Sequence, residues 1–181
     1  FTTREVGCGD IITGNYTFTE DLDCTEDGLI VNASNVTIDG NGYKISGDAG
    51  AGDYGLQLLT DSDNINIKNI TIHNFGRGIE IIASEYVNIT DAFINNSGVS
   101  IYVFEGSDFN IQRVRDELST GTYAQRYGGI SYLDILDSNI DNRIYIVDGL
   151  INGLGYVNIT NNNISGVRKS ENAIEISSVG H

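Results

Sequence analysis

The chain has 181 residues, enough for one domain, and carries 25 acidic against 10 basic residues for a formal charge of −15. A surface that negative repels nucleic acid and anionic lipid, so no nucleic-acid partner is expected. The sequence contains no run of eighteen apolar residues that would span a membrane as a helix, and its 22 glycines without proline, methionine or tryptophan suit short strands joined by tight corners.

Residues 1–34 read as an N-terminal capping segment, with Asp10-Ile-Ile-Thr and Tyr16-Thr-Phe-Thr supplying alternating strands. Cys8 and Cys24 lie sixteen apart in this segment, and no His accompanies them at zinc-ligand spacing. They read as a disulfide that staples the first coil over the end of the core; two free thiols are the other reading. Asp39-Gly-Asn-Gly and residues 47–53 carry turn chemistry. The chain opens at Phe1, which reads as a processed or excised product.

From residue 35 a repeat sets in. Val36-Thr-Ile38, Ile65-Asn-Ile67, Val87-Asn-Ile89, Phe109-Asn-Ile111, Leu133-Asp-Ile135 and Val157-Asn-Ile159 start 29, 22, 22, 24 and 24 residues apart, the period of a solenoid. Side chains alternate along a strand, so the flanking apolar residues face inward and Thr37, Asn66, Asn88, Asn110, Asp134 and Asn158 form an outward column. Amides stacked in this way hydrogen-bond along the axis. A second strand follows as Ile45-Ser-Gly47, Ile72-His-Asn74, Ile94-Asn-Asn96, Ile140-Asp-Asn142 and Ile164-Ser-Gly166. Its third position is always Asn or Gly, residues that tolerate a left-handed corner. A third strand reads Leu56-Gln-Leu58, Ile79-Glu-Ile81, Val99-Ser-Ile101, Ile144-Tyr-Ile146 and Ile174-Glu-Ile176. Three strands per coil predict an all-β, right-handed parallel β-helix of about five to six coils over 35–181, roughly 25 to 30 Å long at the usual strand spacing. An antiparallel sandwich is the competing fold, but three registered columns at one period favour the solenoid. No apolar stripe runs at helical spacing for three turns.

Residues 112–129 interrupt the pattern and read as an insert carrying Arg113, Arg115 and Arg126, since loops on a rigid solenoid commonly carry binding sites. A second irregular stretch spans 147–156. After Ile176 the sequence reaches Ser-Ser-Val-Gly-His without a capping element, which reads either as a truncated chain or as an open edge that something else, such as another copy of the chain, would cover.

The run from Cys8-Gly-Asp-Ile-Ile-Thr through Asp21-Leu-Asp-Cys24 to Val36-Thr-Ile-Asp-Gly-Asn-Gly-Tyr-Lys-Ile-Ser-Gly47 resembles the opening coils of β-helix repeat proteins of the NosD and carbohydrate-binding/sugar-hydrolase type. As a repeat the resemblance covers nearly the whole chain; its specific part is the first fifty residues. It implies the right-handed β-helix and a secreted or cell-surface location, as in archaeal members. Lyases and hydrolases of that superfamily use a calcium-bound carboxylate cluster with a basic residue, or paired acids about the scissile bond. Two acidic groups fit that description by position: Asp61 and Asp63 with Glu80 or Glu85, and Asp108, Asp134, Asp137 and Asp141. Solvated turns are the plainer use of both. His73 reads as an outward ladder residue, and His181 is terminal.

Eight Asn-x-Ser/Thr sequons stand at Asn15, Asn32, Asn35, Asn69, Asn88, Asn95, Asn158 and Asn163, a tripeptide that an Asn- and Thr-rich β-helix also generates by composition. With the disulfide and the acidic surface they point to an extracellular, cell-surface address. The expected function is a non-catalytic structural protein that self-assembles into a sheath, filament or envelope layer, with itself as partner and no required cofactor. The alternative is a carbohydrate-binding or polysaccharide-degrading module, with Arg113, Arg115, Tyr123, Arg126 and Tyr127 meeting the sugar and calcium as a conceivable aid; guanidinium suits a uronate carboxylate. Salt bridges to Asp116 and Glu117 are the plainer use of those arginines. A phage or virus fibre fragment ranks last, since the chain lacks a continuous exposed apolar face.

Overall fold

The computed structural model describes residues 6–118, 125–130, 132–147, 156–165 and 173–177. These residues contain strands and no helix, and every strand pair is parallel. They stack as a β-solenoid of about six turns with three faces. The first face stacks Ile11–Ile12, Leu29–Val31, Tyr54–Leu58, the leading parts of Arg77–Thr90 and Val99–Gln112, then Gln125–Ile130, Ile144–Val147 and Ile174–Ser177. The second runs from Tyr16–Thr17 through Thr37–Asp39, Ile65–Lys68 and the trailing parts of the two long strands to Tyr132–Leu136 and Tyr156–Thr160. The third runs from Leu22–Asp23 to Asn163–Ser165. Strands of residues 11–31, within the expected capping segment, already pair in register with the coils that follow.

The outward column of the second face is in register, Thr37 with Asn66, then Asn88, Asn110, Asp134 and Asn158. Asn110 Nδ2 donates to Asn88 Oδ1 at 3.2 Å. The ladder stops where a carboxylate replaces an amide: Asn110 Oδ1 is buried without a partner because the neighbouring Asp134 side chain has no N–H to offer it, and Asp134 Oδ1 is likewise buried without a partner. At the corner after the third face, Asn96 Nδ2 donates to Asn74 Oδ1 at 2.8 Å and Asn74 Nδ2 to the Gly47 carbonyl at 2.9 Å. Asn74, Asn96 and Asn142 have φ of 66°, 49° and 112°, the left-handed backbone expected of that column. A further left-handed column follows the second face, Asn69, Asp91, Arg113, Asp137 and Asn161, all with φ between 50° and 57°. Its mixed residue types conceal it in the sequence.

Inside, Ile, Val and Leu fill the column behind each face. Two strands fall within the expected insert. Arg115–Glu117 continues the third face, with Asp116 in register between Ile94 and Ile140, and Gln125–Ile130 continues the first, with Gln125 and Tyr127 in register with Ile101 and Val103. Asp116, Gln125 and Tyr127 are buried, so polar side chains hold core positions here and hide both strands from an apolar pattern. Ser100 Oγ donates to Asp116 Oδ1 at 2.6 Å, and Tyr127 Oη to Gln125 Oε1 at 2.9 Å. The third-strand register also differs from the expected one: Ile101-Tyr102-Val103, not Val99-Ser-Ile101, lies beside Ile79-Glu80-Ile81. Cys8 and Cys24 form a disulfide with Cα atoms 5.6 Å apart, closing the first turn. A closed loop of that length contributes on the order of 3 kcal/mol in the chain-entropy picture.

Candidate functional site

The first face carries an outward column unlike the other two. In register it reads Gln57, Glu80, Tyr102, Arg126, Tyr145 and Glu175, the first five flanked by strand neighbours buried in the core. Glu80 is only 4 % exposed although it sits on an outer face, because Arg77 Nη1 and Gln57 Nε2 both donate to its carboxylate. The Arg77 guanidinium lies 4.5 Å from the centre of the Tyr102 ring, and that of Arg126 lies 5.0 Å from it. Arg126 Nη1 also donates to Tyr102 Oη at 2.7 Å. At the far end Arg143 Nη1 donates to Glu175 Oε2 at 3.2 Å. Along the neighbouring edge Tyr132 and Tyr156 stack with ring centres 4.7 Å apart, and Tyr86 and Phe104 are both about half exposed.

Tyr54, three residues before Gln57 on its strand, has its phenol pushed up to about 12 by burial, by a hydrogen bond to Asp27, and by the nearby charges of Asp27, Glu80 and Asp53. Burial, with Asp116 nearby, raises the Tyr127 phenol as well. Both groups hold their protons more tightly folded than unfolded, so the associated stability is complete below pH 10 and is lost as pH rises from about 10 towards 12. Urea melts at pH 9 and pH 11.5 are therefore expected to show a lower midpoint at the higher pH; an unchanged midpoint contradicts these environments.

The residues named as a sugar site from the sequence are dispersed. Arg113 stands at the corner after the second face and grips Asp91 through Nε at 2.6 Å and Nη2 at 2.7 Å, which holds the Asp91 carboxyl below its usual range. Arg115 is outward on the third face, bonded to Glu117 and lying over Phe93. Tyr127 is in the core behind the first face, Tyr123 lies outside the described residues, and of the four that are described Arg126 alone is on the outer side of the first face.

The acidic groups are brought together only in part. Asp63 Oδ1 accepts from the Glu85 amide at 2.8 Å, while Glu80 is held on the first face. Asp108 accepts from Ser107, Asp134 from Tyr132 at 3.0 Å, and Asp141 from the Leu118 amide at 3.2 Å. Among the described residues no three His, Cys, Asp or Glu side chains converge on a point that would hold a metal ion. His73 is on the outer side of the third face, where Nδ1 meets Asn95 Oδ1. His181 lies outside the described residues.

Of the sequon asparagines, Asn15, Asn32, Asn35, Asn69, Asn88 and Asn163 are exposed and Asn95 and Asn158 half-buried. Asn15 accepts from the Thr37 amide and Asn69 donates to Asp39. No protein-family model, curated protein or solved structure matches this chain, so the reading of the site rests on its own geometry.

Proposed function

We propose that this chain is an extracellular, non-catalytic β-solenoid that binds a polysaccharide laid along its first face. The observation that carries the reading is the column from Gln57 to Glu175, where donors, acceptors and phenols repeat at the strand spacing of roughly 4.8 Å, comparable to the rise of one sugar unit in an extended chain. Sugar hydroxyls need both donors and acceptors, and the tyrosines of the neighbouring edge offer ring faces for the apolar sides of sugar rings. The bridge between Cys8 and Cys24 supports the extracellular address. Binding without turnover accords with carboxylates held in named bonds, Glu80 by Arg77 and Gln57, Asp63 by the Glu85 amide. Calorimetric titration with neutral and acidic polysaccharides tests it. Tyr102→Ala, which removes the support of both guanidiniums, is expected to weaken binding on the order of tenfold with the melting temperature little changed. Full affinity in that variant contradicts the reading.

A second reading, self-association into a surface sheath or filament, is favoured by one feature, the column of side-chain amides on the second face, where Asn88 and Asn110 already bond along the axis. Light scattering and electron microscopy across a concentration series separate the two: filaments or sheets support it, and a monomer throughout removes it.

A further inference from the structure

We propose that Arg126 reads one carboxylate of an acidic sugar that is flanked by neutral ones; this rests on the polysaccharide-binding reading above. Seven lysines and arginines are described, and six have an acidic partner: Lys44 with Asp21, Lys68 with Asp39, Arg77 with Glu80, Arg113 with Asp91, Arg115 with Glu117 and Arg143 with Glu175. Arg126 has none among the described residues. In a chain with 25 acids and 10 bases, a guanidinium without a carboxylate is conspicuous, because long-range attraction alone supplies partners in excess. It is also held in place. Tyr102 accepts from Nη1 at 2.7 Å and lies 5.0 Å beneath the guanidinium carbon, and no protein group bonds Nε or Nη2 among the described residues. That free edge is the planar fork that takes a carboxylate through two parallel hydrogen bonds.

The column around Arg126 is symmetric in type: Glu80, Tyr102, Arg126, Tyr145, Glu175. Two strands away on either side, about 10 Å by the strand spacing, stands a carboxylate already joined to its own arginine. Neither carboxylate offers a donor to a second carboxylate; Glu175, partly exposed, can accept from a sugar hydroxyl, while Glu80 is nearly buried under its partners. The column therefore fits one anion with hydroxyl-bearing neutral units on both sides. A polymer charged at every unit would set its carboxylates against Glu80 and Glu175 and against a protein of charge −15.

The test uses immobilised polysaccharides at fixed salt: one with a uronate separated by neutral sugars, the same polymer after chemical reduction of its carboxyls to alcohols, a homopolymeric uronate, and a sulfated neutral polymer. The protein is expected to bind the first on the order of tenfold more tightly than its reduced form. Arg126→Gln is expected to bind the two equally, and Arg126→Lys to keep only part of the preference, since an ammonium lacks the fork. Equal binding of the native and reduced polymers, or a full preference retained by Arg126→Gln, overturns the assignment while leaving a polysaccharide-binding face intact. A homopolymeric uronate bound as tightly as the spaced one overturns the isolation rule, and a sulfated polymer bound as tightly overturns the choice of carboxylate. Binding to none of the four removes the polysaccharide reading itself.

Discussion

Gly78→Val is expected to destabilise the solenoid by about 3 kcal/mol or more, read as a large fall in the urea midpoint. A Cβ at Gly78 would lie 2.6 Å from the Ser100 carbonyl oxygen of the next turn and 2.6 Å from Cγ2 of Ile94 across the core. Neither can yield: the carbonyl belongs to the stacked backbone, and Ile94 is buried in the third face. Gly28 and Gly55 hold the same position in earlier turns, as the pairing of Leu29 with Leu56 and of Leu56 with Ile79 requires. At Gly55 and Gly78 an isoleucine from the third face, Ile72 or Ile94, presses against bare backbone, whereas at Gly28 a Cβ would meet the backbone of Gly55. Gly128→Ala is the control, since its Cβ would meet only the Val103 carbonyl at 3.6 Å, and the expected change is within about 0.5 kcal/mol. Equal midpoints for Gly78→Val and the wild type would contradict the packing described.

The second large effect is a coupling between Ser100 and Asp116. Where the preceding turns place glycine against isoleucine, Gly55 against Ile72 and Gly78 against Ile94, the next turn places Ser100 against Asp116, joined at 2.6 Å inside the core. Both positions have changed together, a small apolar gap and a methyl exchanged for a hydroxyl and a carboxylate. Asp116→Ile alone leaves Ser100 where bare backbone is needed and is expected to cost about 1–3 kcal/mol. The double variant Ser100→Gly/Asp116→Ile restores the arrangement of the earlier turns, and replacing a buried hydrogen-bonded pair by packed apolar groups is often neutral or better. Its midpoint is expected to recover most of the loss. Strictly additive single-variant effects would show that the two positions are independent.

These two sites also mark where the sequence stops being legible. The outward column from Thr37 to Asn158 could be read directly, because like residues recur at 22 to 29 residues, and the structure pairs them one to one. The strands at Arg115–Glu117 and Gln125–Ile130 could not, because Asp116, Gln125 and Tyr127 occupy inward positions where apolar residues are the signal. Without them residues 112–129 read as an insert; residues 119–124 of that stretch lie outside the described residues. Val99-Ser-Ile101 was two residues out of register for a related cause: Ser100 continues the glycine column, and a two-residue slip in an alternating strand leaves the inward face unchanged. The first-face column was legible in part. Gln57, Glu80, Tyr145 and Glu175 stand at the middle of the third-strand repeat, whereas Tyr102 is masked by the register slip and Arg126 by the polar inward neighbours Gln125 and Tyr127. Only the register of the stacked turns places Tyr102 and Arg126 among them, just as it separates Arg113 and Arg115 from Arg126.

Footprinting of exposed side chains by hydroxyl radicals, with and without a bound polysaccharide, tests the central claim most directly. Protection confined to Tyr102, Arg126 and Tyr145 of the first face, with the tyrosines of the neighbouring edge, is the expected result. Protection of the second face around Asn88 and Asn110, with the first face as reactive as in the free protein, would contradict it.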